Sequence, residues 1–175
     1  MLSKLFKFFI KISIMSIMFI ACVNAAQADN STANIKKSTI QKEYKVEPFI
    51  PNRADPWVHK SANGDYYFTG SVPEFDRIEL RHATTLNGLK TETKKVVWHK
   101  NDSGPMSVNI WAPELHYIDG VWYIYFAAGD INKPFSIRMY ALSNTSADPM
   151  QGEWLEAGKV KVARETFSLD ATSFT

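Results

Sequence analysis

The chain of 175 residues contains a single cysteine, Cys22. One cysteine forms no disulfide within a chain, so a disulfide scaffold is excluded and the fold depends on its apolar core. The four histidines are scattered and have no cysteine partners, which does not match the ligand spacing of a zinc site. We therefore expect neither a metal ion nor a cofactor in this chain.

An excess of charge of one sign is also missing. The 20 basic and 18 acidic residues give a formal net charge of +2. Three of the lysines and none of the acids lie in the first 28 residues, so the rest of the chain carries 17 basic and 18 acidic side chains. Nucleic acids and anionic membranes both attract clustered positive charge, so neither is predicted as a partner.

No apolar run is long enough to span a membrane. The longest, residues 12–23, is interrupted by serines and by Cys22, whereas a spanning helix needs roughly 20 apolar residues. Lysines precede this run and small residues ending at Ala28 follow it, which predicts a secretory signal peptide over residues 1–28. We expect a secreted or periplasmic protein. Cys22 is either an ordinary residue of the apolar region or the lipidation site of a bacterial lipoprotein.

Two further segments follow. Residues 29–47 are rich in Ser, Thr, Asn and Lys, and they hold too few large apolar groups to offset the entropy of ordering, so we predict a polar linker. From residue 48 the sequence changes to short runs of aromatic and β-branched residues between turn signals, which indicates strands. Residues 48–175 are therefore predicted to form one all-β domain.

A repeat of about 57 residues organises this domain. Pro56-Trp-Val-His59 aligns with Pro113-Glu-Leu-His116, and Asn63-Gly64 aligns with Asp119-Gly120. Both dipeptides favour a type I′ turn, so each should join two antiparallel strands.

A third run follows each hairpin, at residues 78–83 and 137–142, and a fourth run holds Trp98 or Trp154. Four strands per repeat predict the blade of a β-propeller, with Trp98, Trp122 and Trp154 in the core. A β-sandwich also has short strands, but it does not explain first strands that match at a fixed long period. We expect about two blades and the first strand of a third.

Carboxylates lie near the start of successive repeats, at Asp55, Glu114 and Asp170. The innermost strand of each propeller blade begins close to the central axis, so we expect equivalent positions to converge on one pocket. Hydrolysis of a glycosidic bond with inversion needs a carboxylate base and a carboxylic acid about 6.5–9.5 Å apart. A further carboxylate can raise the pKa of the acid by like-charge repulsion. Trp57 and Trp111 flank these acids, and aromatic faces stack on sugar C–H surfaces.

Several motifs, in order and spacing, resemble glycoside hydrolase family 43, and within it exo-acting α-L-arabinofuranosidases. They are Arg53-Ala-Asp-Pro-Trp57, Tyr66–Ser71, Trp111–His116, Trp122–Ala127 and Phe167–Thr172. The resemblance implies a five-bladed β-propeller and an inverting mechanism. By motif, Asp55 matches the general base of the family, and Asp170 matches the aspartate that orients the acid and tunes its pKa. The glutamate that serves as the acid would lie beyond Thr175, so the chain alone should be inactive.

The predicted function is thus a secreted glycosidase that releases α-L-arabinofuranosyl residues from arabinan or arabinoxylan and is a monomer at full length. Trp57, Trp111 and Glu114 are predicted substrate contacts, although Trp111 serves equally well as a core wedge. The alternatives are a β-xylosidase or an endo-arabinanase of the same family, and a carbohydrate-binding propeller without catalysis.

Two groups of polar residues are predicted to have no catalytic role. His59 and His116 recur at one repeat position, which indicates structural histidines that bond to the backbone. Arg77, Glu79 and Arg81 alternate within one strand opposite Ile78, which is typical of a solvated strand face.

Overall fold

The computed structural model describes residues 47–173, which form two four-stranded antiparallel sheets and one short 3₁₀ helix. The first sheet consists of β1 (Ala54–Lys60), β2 (Tyr66–Ser71), β3 (Arg77–Ala83) and β4 (Lys95–His99), with the 3₁₀ helix Asn87–Lys90 between β3 and β4. The second consists of β5 (Val108–Ile118), β6 (Val121–Asp130), β7 (Lys133–Asn144) and β8 (Leu155–Lys159). The predicted signal peptide and all but the last residue of the predicted linker lie outside the described residues.

In both sheets the spatial order of the strands equals their order in the chain. Each sheet is therefore a four-stranded meander, and we call the two sheets blade one and blade two. The predicted repeat of four strands is confirmed. The predicted first strand of a third blade is not formed within residues 160–173, which have no regular secondary structure. This segment instead lies against β7, where Ser168 N donates a hydrogen bond to Ile137 O at 3.3 Å.

The two hairpin turns differ. Asp119 and Gly120 both have positive φ, at 50° and 84°, and join the paired residues Ile118 and Val121, so the predicted type I′ turn is confirmed. In blade one the paired residues are Lys60 and Tyr66, which leaves a five-residue loop.

The type I′ prediction for the turn of blade one is wrong, because Gly64 has φ 94° whereas Asn63 has no positive φ. Gly64 N donates to Ser61 O at 2.9 Å, so the turn is centred one residue earlier than predicted. The side chain of Asn63 accepts a hydrogen bond from Asp65 N at 3.1 Å, which holds Asn63 inside the turn. Gly64 then supplies the left-handed residue that returns the chain to β2.

The core lies between the two blades. Strands β3 and β6 each direct alternate apolar side chains into it, and its largest members include Ile78, Leu80, Ile124 and Phe126, all fully buried. Burying one such side chain stabilises the fold by about 1.5–3 kcal/mol.

The predicted core tryptophans are confirmed: Trp122 and Trp154 are buried in this cluster, and the half-buried Trp98 packs against it. Trp98 also donates from Nε1 to Glu156 Oε1 at 3.1 Å, across the two blades. No helix within residues 47–173 is long and apolar enough to cross a membrane.

Candidate active site

A pocket of about 270 Å³ lies where β1 and β5 begin. Its wall contains three of the residues predicted from the sequence, Asp55, Trp111 and Asp170. The remaining wall residues are Ala54, Phe75, Ala112 and Leu169. The structure therefore brings two carboxylates from separate repeats into one pocket beside two aromatic rings.

Asp55 lies in a β-bulge. Ala54 pairs with Ser71 and Trp57 pairs with Thr69, so Asp55 and Pro56 together oppose a single residue of β2. Proline cannot donate to the strand ladder, which explains why regular pairing stops here. Asp55 has φ 48° and is exposed to solvent. A carboxylate presented in this way can accept a proton from a water molecule or from a bound ligand.

The Asp55 carboxylate is held by a buried serine. Ser71 Oγ donates to Asp55 Oδ2 at 2.8 Å, and Ala112 N donates to the same Oγ at 2.8 Å. Ser71 is 2% exposed. A chain of two hydrogen bonds thus connects β5 of blade two to the acid of blade one.

The blade-two counterpart of Asp55 is Ala112 and not Glu114. Trp111 pairs with Ala127 and Glu114 pairs with Tyr125, so Ala112 occupies the same bulge position and has nearly the same φ, 46°. The interpretation that Glu114 is equivalent to Asp55 is wrong. The sequence alignment of Pro56 with Pro113 already places Ala112 opposite Asp55.

Two predicted substrate contacts lie outside the pocket wall. Glu114 Oε2 is 3.2 Å from His116 Nε2, so His116 bonds to a carboxylate and not, as predicted, to the backbone. Trp57 packs against the core between the blades and donates from Nε1 to Leu115 O at 2.9 Å. Its ring centroid lies 5.0 Å from that of His116.

Trp111 contributes to both the pocket and the core. It is half-buried, packs against a second apolar cluster formed by Ala127, Ile137 and Met139, and also lines the pocket. Phe75 lies edge-on to it, with 6.0 Å between ring centroids. Phe75 was not predicted, because its loop gives only a turn signal at Pro73.

Backbone strain is concentrated at this pocket. Four of its seven wall residues are non-glycine residues in the left-handed region: Asp55, Phe75, Ala112 and Asp170. Such a conformation costs about 1–2 kcal/mol per residue. The surrounding structure holds it in place; for example, Ile110 N donates to Phe75 O at 3.1 Å. Strain of this kind is typical of functional sites.

A buried ion network lies beside the start of β1. The expected solvated face is wrong for Glu79, which is only 4% exposed. Its carboxylate is 2.6 Å from Arg53, 2.7 Å from Arg77 and 3.1 Å from Lys94. Burial raises the pKa of Glu79, but the hydrogen bonds from these cations outweigh burial and hold the pKa below its usual value. Arg53 precedes Asp55 by two residues, so the network anchors the segment that carries it.

The described part of the pocket wall offers acid–base chemistry. Among the wall residues that lie within residues 47–173, Asp55 and Asp170 are the titratable ones. No group of three or more His, Cys, Asp or Glu residues within residues 47–173 is placed to hold a metal ion. A larger groove of about 450 Å³ lies against β1 and β2, but its wall is apolar apart from Arg53. A third pocket of about 370 Å³ has one carboxylate, Asp130, in its wall. Among these three pockets of residues 47–173, the pocket of about 270 Å³ is the one that contains two carboxylates.

Comparison with known proteins finds one family and a consistent set of relatives. The family described as Glycosyl hydrolases family 43 matches residues 46–175. An extracellular exo-α-(1→5)-L-arabinofuranosidase of Streptomyces avermitilis is 51% identical over 74% of this chain and 27% of its own. The α-L-arabinofuranosidase 43 of Humicola insolens is 46% identical over the same shares.

A solved structure gives the same result. The crystal structure of an α-L-arabinofuranosidase from Lactobacillus brevis matches with a TM-score of 0.68 and 48% identity. The match covers 74% of this chain and 43% of that one. The chain thus spans 27% of the length of each of the two curated relatives and 43% of the chain of the solved structure.

Proposed function

The chain belongs to glycosyl hydrolase family 43, and from this premise we propose that the protein is a secreted, inverting α-L-arabinofuranosidase. Its substrates are terminal α-L-arabinofuranosyl residues of arabinan or arabinoxylan, and it acts as a monomer. The predicted fold class, an all-β five-bladed β-propeller, is confirmed, and residues 47–173 form two of its blades.

One observation carries the proposal: Asp55 and Asp170 lie in the wall of one pocket beside aromatic rings. Asp55 is the general base. It is exposed, so its carboxylate can take a proton from the water that attacks the anomeric carbon. Asp170 orients the general acid and tunes its pKa by like-charge repulsion. The general acid is a further carboxyl group, in addition to the two in the described part of the pocket wall.

The apolar part of the wall binds the sugar. Phe75 and Trp111 form an aromatic corner that packs against the C–H face of the arabinofuranosyl ring and excludes water from it. Trp57 and Glu114 act indirectly. They hold β5 through the contacts of Trp57 with Leu115 and of Glu114 with His116, and they do not touch the sugar.

The decisive experiment uses the full-length gene product that carries this chain, expressed without residues 1–28. Arabinose release from an aryl α-L-arabinofuranoside is compared with xylose release from an aryl β-D-xyloside. The variant Asp55→Asn should lower kcat by about 10²- to 10⁴-fold, because it removes the general base.

The matched control is Asp119→Asn. Asp119 is also an exposed, left-handed aspartate, but it lies in the β5–β6 turn, away from the pocket. It should leave kcat unchanged, and both variants should keep the thermal transition of the unmodified protein. Activity on the xyloside alone contradicts the substrate assignment. Near-normal turnover by Asp55→Asn contradicts the role of the base.

A further inference from the structure

Ser71 connects the proposed base to the neighbouring blade. It lies at the end of β2 and is 2% exposed. Its Oγ lies 2.8 Å from Asp55 Oδ2 in β1 and 2.8 Å from Ala112 N in β5. Within residues 47–173, Ser71 is the one hydrogen-bond partner of the Asp55 side chain.

The donors fix the direction of both bonds. A backbone N–H can only donate, so Ser71 Oγ uses a lone pair toward Ala112. A serine hydroxyl has one hydrogen, and an ionised carboxylate can only accept, so that hydrogen points to Asp55 Oδ2. Oδ2 of Asp55 is therefore occupied by a fixed donor, while Oδ1 accepts no hydrogen bond from the described residues 47–173.

We infer that Ser71 is a positioning residue for the general base. It holds Oδ2 of Asp55 and leaves Oδ1 to accept the proton of the attacking water. This inference rests on the proposed function of Asp55. Because the hydroxyl is oriented by Ala112 N, which belongs to blade two, the base takes its working orientation only when blades one and two are packed together.

The kinetic test compares the full-length Ser71→Ala variant with the unmodified full-length protein. The variant removes the donor of a hydrogen bond to a charged group. Its kcat should therefore fall by about 10- to 100-fold. KM should stay within about twofold, because Ser71 does not line the pocket. A residue needed only for folding would change neither constant in the molecules that remain folded.

Ser107→Ala is the matched control. Ser107 is fully buried, donates to Gly104 O at 2.6 Å and accepts from Ile131 N at 2.8 Å. It repeats the environment of Ser71, with a backbone carbonyl in place of the carboxylate, and lies outside the pocket wall. Its alanine variant should lose stability as Ser71→Ala does, but keep kcat within about twofold.

A kcat of Ser71→Ala equal to that of Ser107→Ala overturns the inference. If Ser71→Ala does not fold, Ser71→Thr decides: it retains the hydroxyl, so kcat within about threefold supports the inference. A folded threonine variant with normal KM that is as slow as Asp55→Asn overturns it.

The orientation of the carboxylate gives a measurement that is independent of activity. Crystal structures of the unmodified protein and of the Ser71→Ala variant are compared. In the variant, the Asp55 carboxylate should be turned away from residue 71. An unchanged orientation overturns the inference. If the unmodified protein releases no arabinose, the proposed function fails, and this structural comparison alone decides the role of Ser71.

Discussion

Replacement of Glu79 by glutamine tests whether the buried ion network stabilises blade one. Glu79 is 4% exposed, and its partners Arg53 and Arg77 are 10% and 16% exposed. Glutamine has nearly the shape of glutamate, so the substitution removes charge and little packing. Arg53, whose one acidic partner within residues 47–173 is Glu79, then loses its counter-charge, whereas Arg77 keeps Asp76 at 2.7 Å. Removing one partner of a buried ion pair costs about 3–5 kcal/mol, and we expect the free energy of unfolding to fall by that amount at pH 7.

The same substitution predicts a pH dependence. Burial raises the pKa of Glu79, and the bonds from Arg77, Lys94 and Arg53 together lower it below its ordinary value of 4.5. A carboxyl group whose pKa is lowered on folding contributes stability that is fully present above the pKa of the unfolded chain and is lost as the pH falls through the folded value. The difference in stability between the protein and its Glu79→Gln variant should therefore be largest near neutral pH and narrow below about pH 4.5.

Urea denaturation of the full-length protein at several pH values measures this difference, with an unchanged m-value as the condition for comparing midpoints. Glu165→Gln is the control. Glu165 also contacts two cations, Lys159 at 2.8 Å and Arg138 at 3.5 Å, but its side chain is 57% exposed. Exposed ion pairs contribute little, so its variant should unfold at an unchanged midpoint. A loss below about 1 kcal/mol for Glu79→Gln at pH 7, or a difference that does not narrow in acid, would refute the reasoning.

Three further predictions concern packing and the pocket. In Gly129→Ala the new Cβ would lie 2.5 Å from Pro134 O, so overpacking should lower the free energy of unfolding by about 1–3 kcal/mol; an unchanged urea midpoint contradicts this. Trp57→Phe removes the bond to Leu115 O and should cost about 1 kcal/mol of stability with KM unchanged. Trp111→Ala should raise KM for the aryl arabinofuranoside at least about fivefold, because it removes a pocket wall. A raised KM for Trp57→Phe together with an unchanged KM for Trp111→Ala contradicts the proposed pocket.

The parts of the fold that depend on local signals could be predicted from the sequence. Four-stranded repeats follow from apolar runs and turn dipeptides at a regular period, and Asp119-Gly120 forms the predicted turn because only two residues separate the paired strands. The Asn63-Gly64 turn differs because the side chain of Asn63 bonds to Asp65 N, a choice that the dipeptide alone does not reveal. Asp55 and Asp170 were both predicted at the start of a sequence repeat, and both line one pocket although residues 160–173 form no strand.

The remaining features depend on contacts between distant segments. The alternation of polar and apolar residues in β3 predicts that Glu79 and Ile78 lie on opposite faces. It does not reveal that Arg53, 26 residues earlier, contacts Glu79 on the polar face. Phe75 reaches the pocket through a left-handed backbone that Ile110 of the next blade holds by a hydrogen bond. Pro56 and Pro113 occupy equivalent positions, so Ala112 and not Glu114 corresponds to Asp55.

The repeated bulge explains how one backbone geometry serves two purposes. Pro56 and Pro113 interrupt the ladder at the same point of β1 and β5, and the residue before each proline adopts a left-handed conformation. The fold therefore directs that residue into the pocket wall in both blades, whatever its side chain. In blade one the residue is Asp55, which presents a carboxylate. In blade two it is Ala112, which has no functional side chain but donates its N–H to the serine that holds Asp55. Equivalent positions thus supply the proposed general base from one blade and, from the next, the N–H that binds the serine in contact with it.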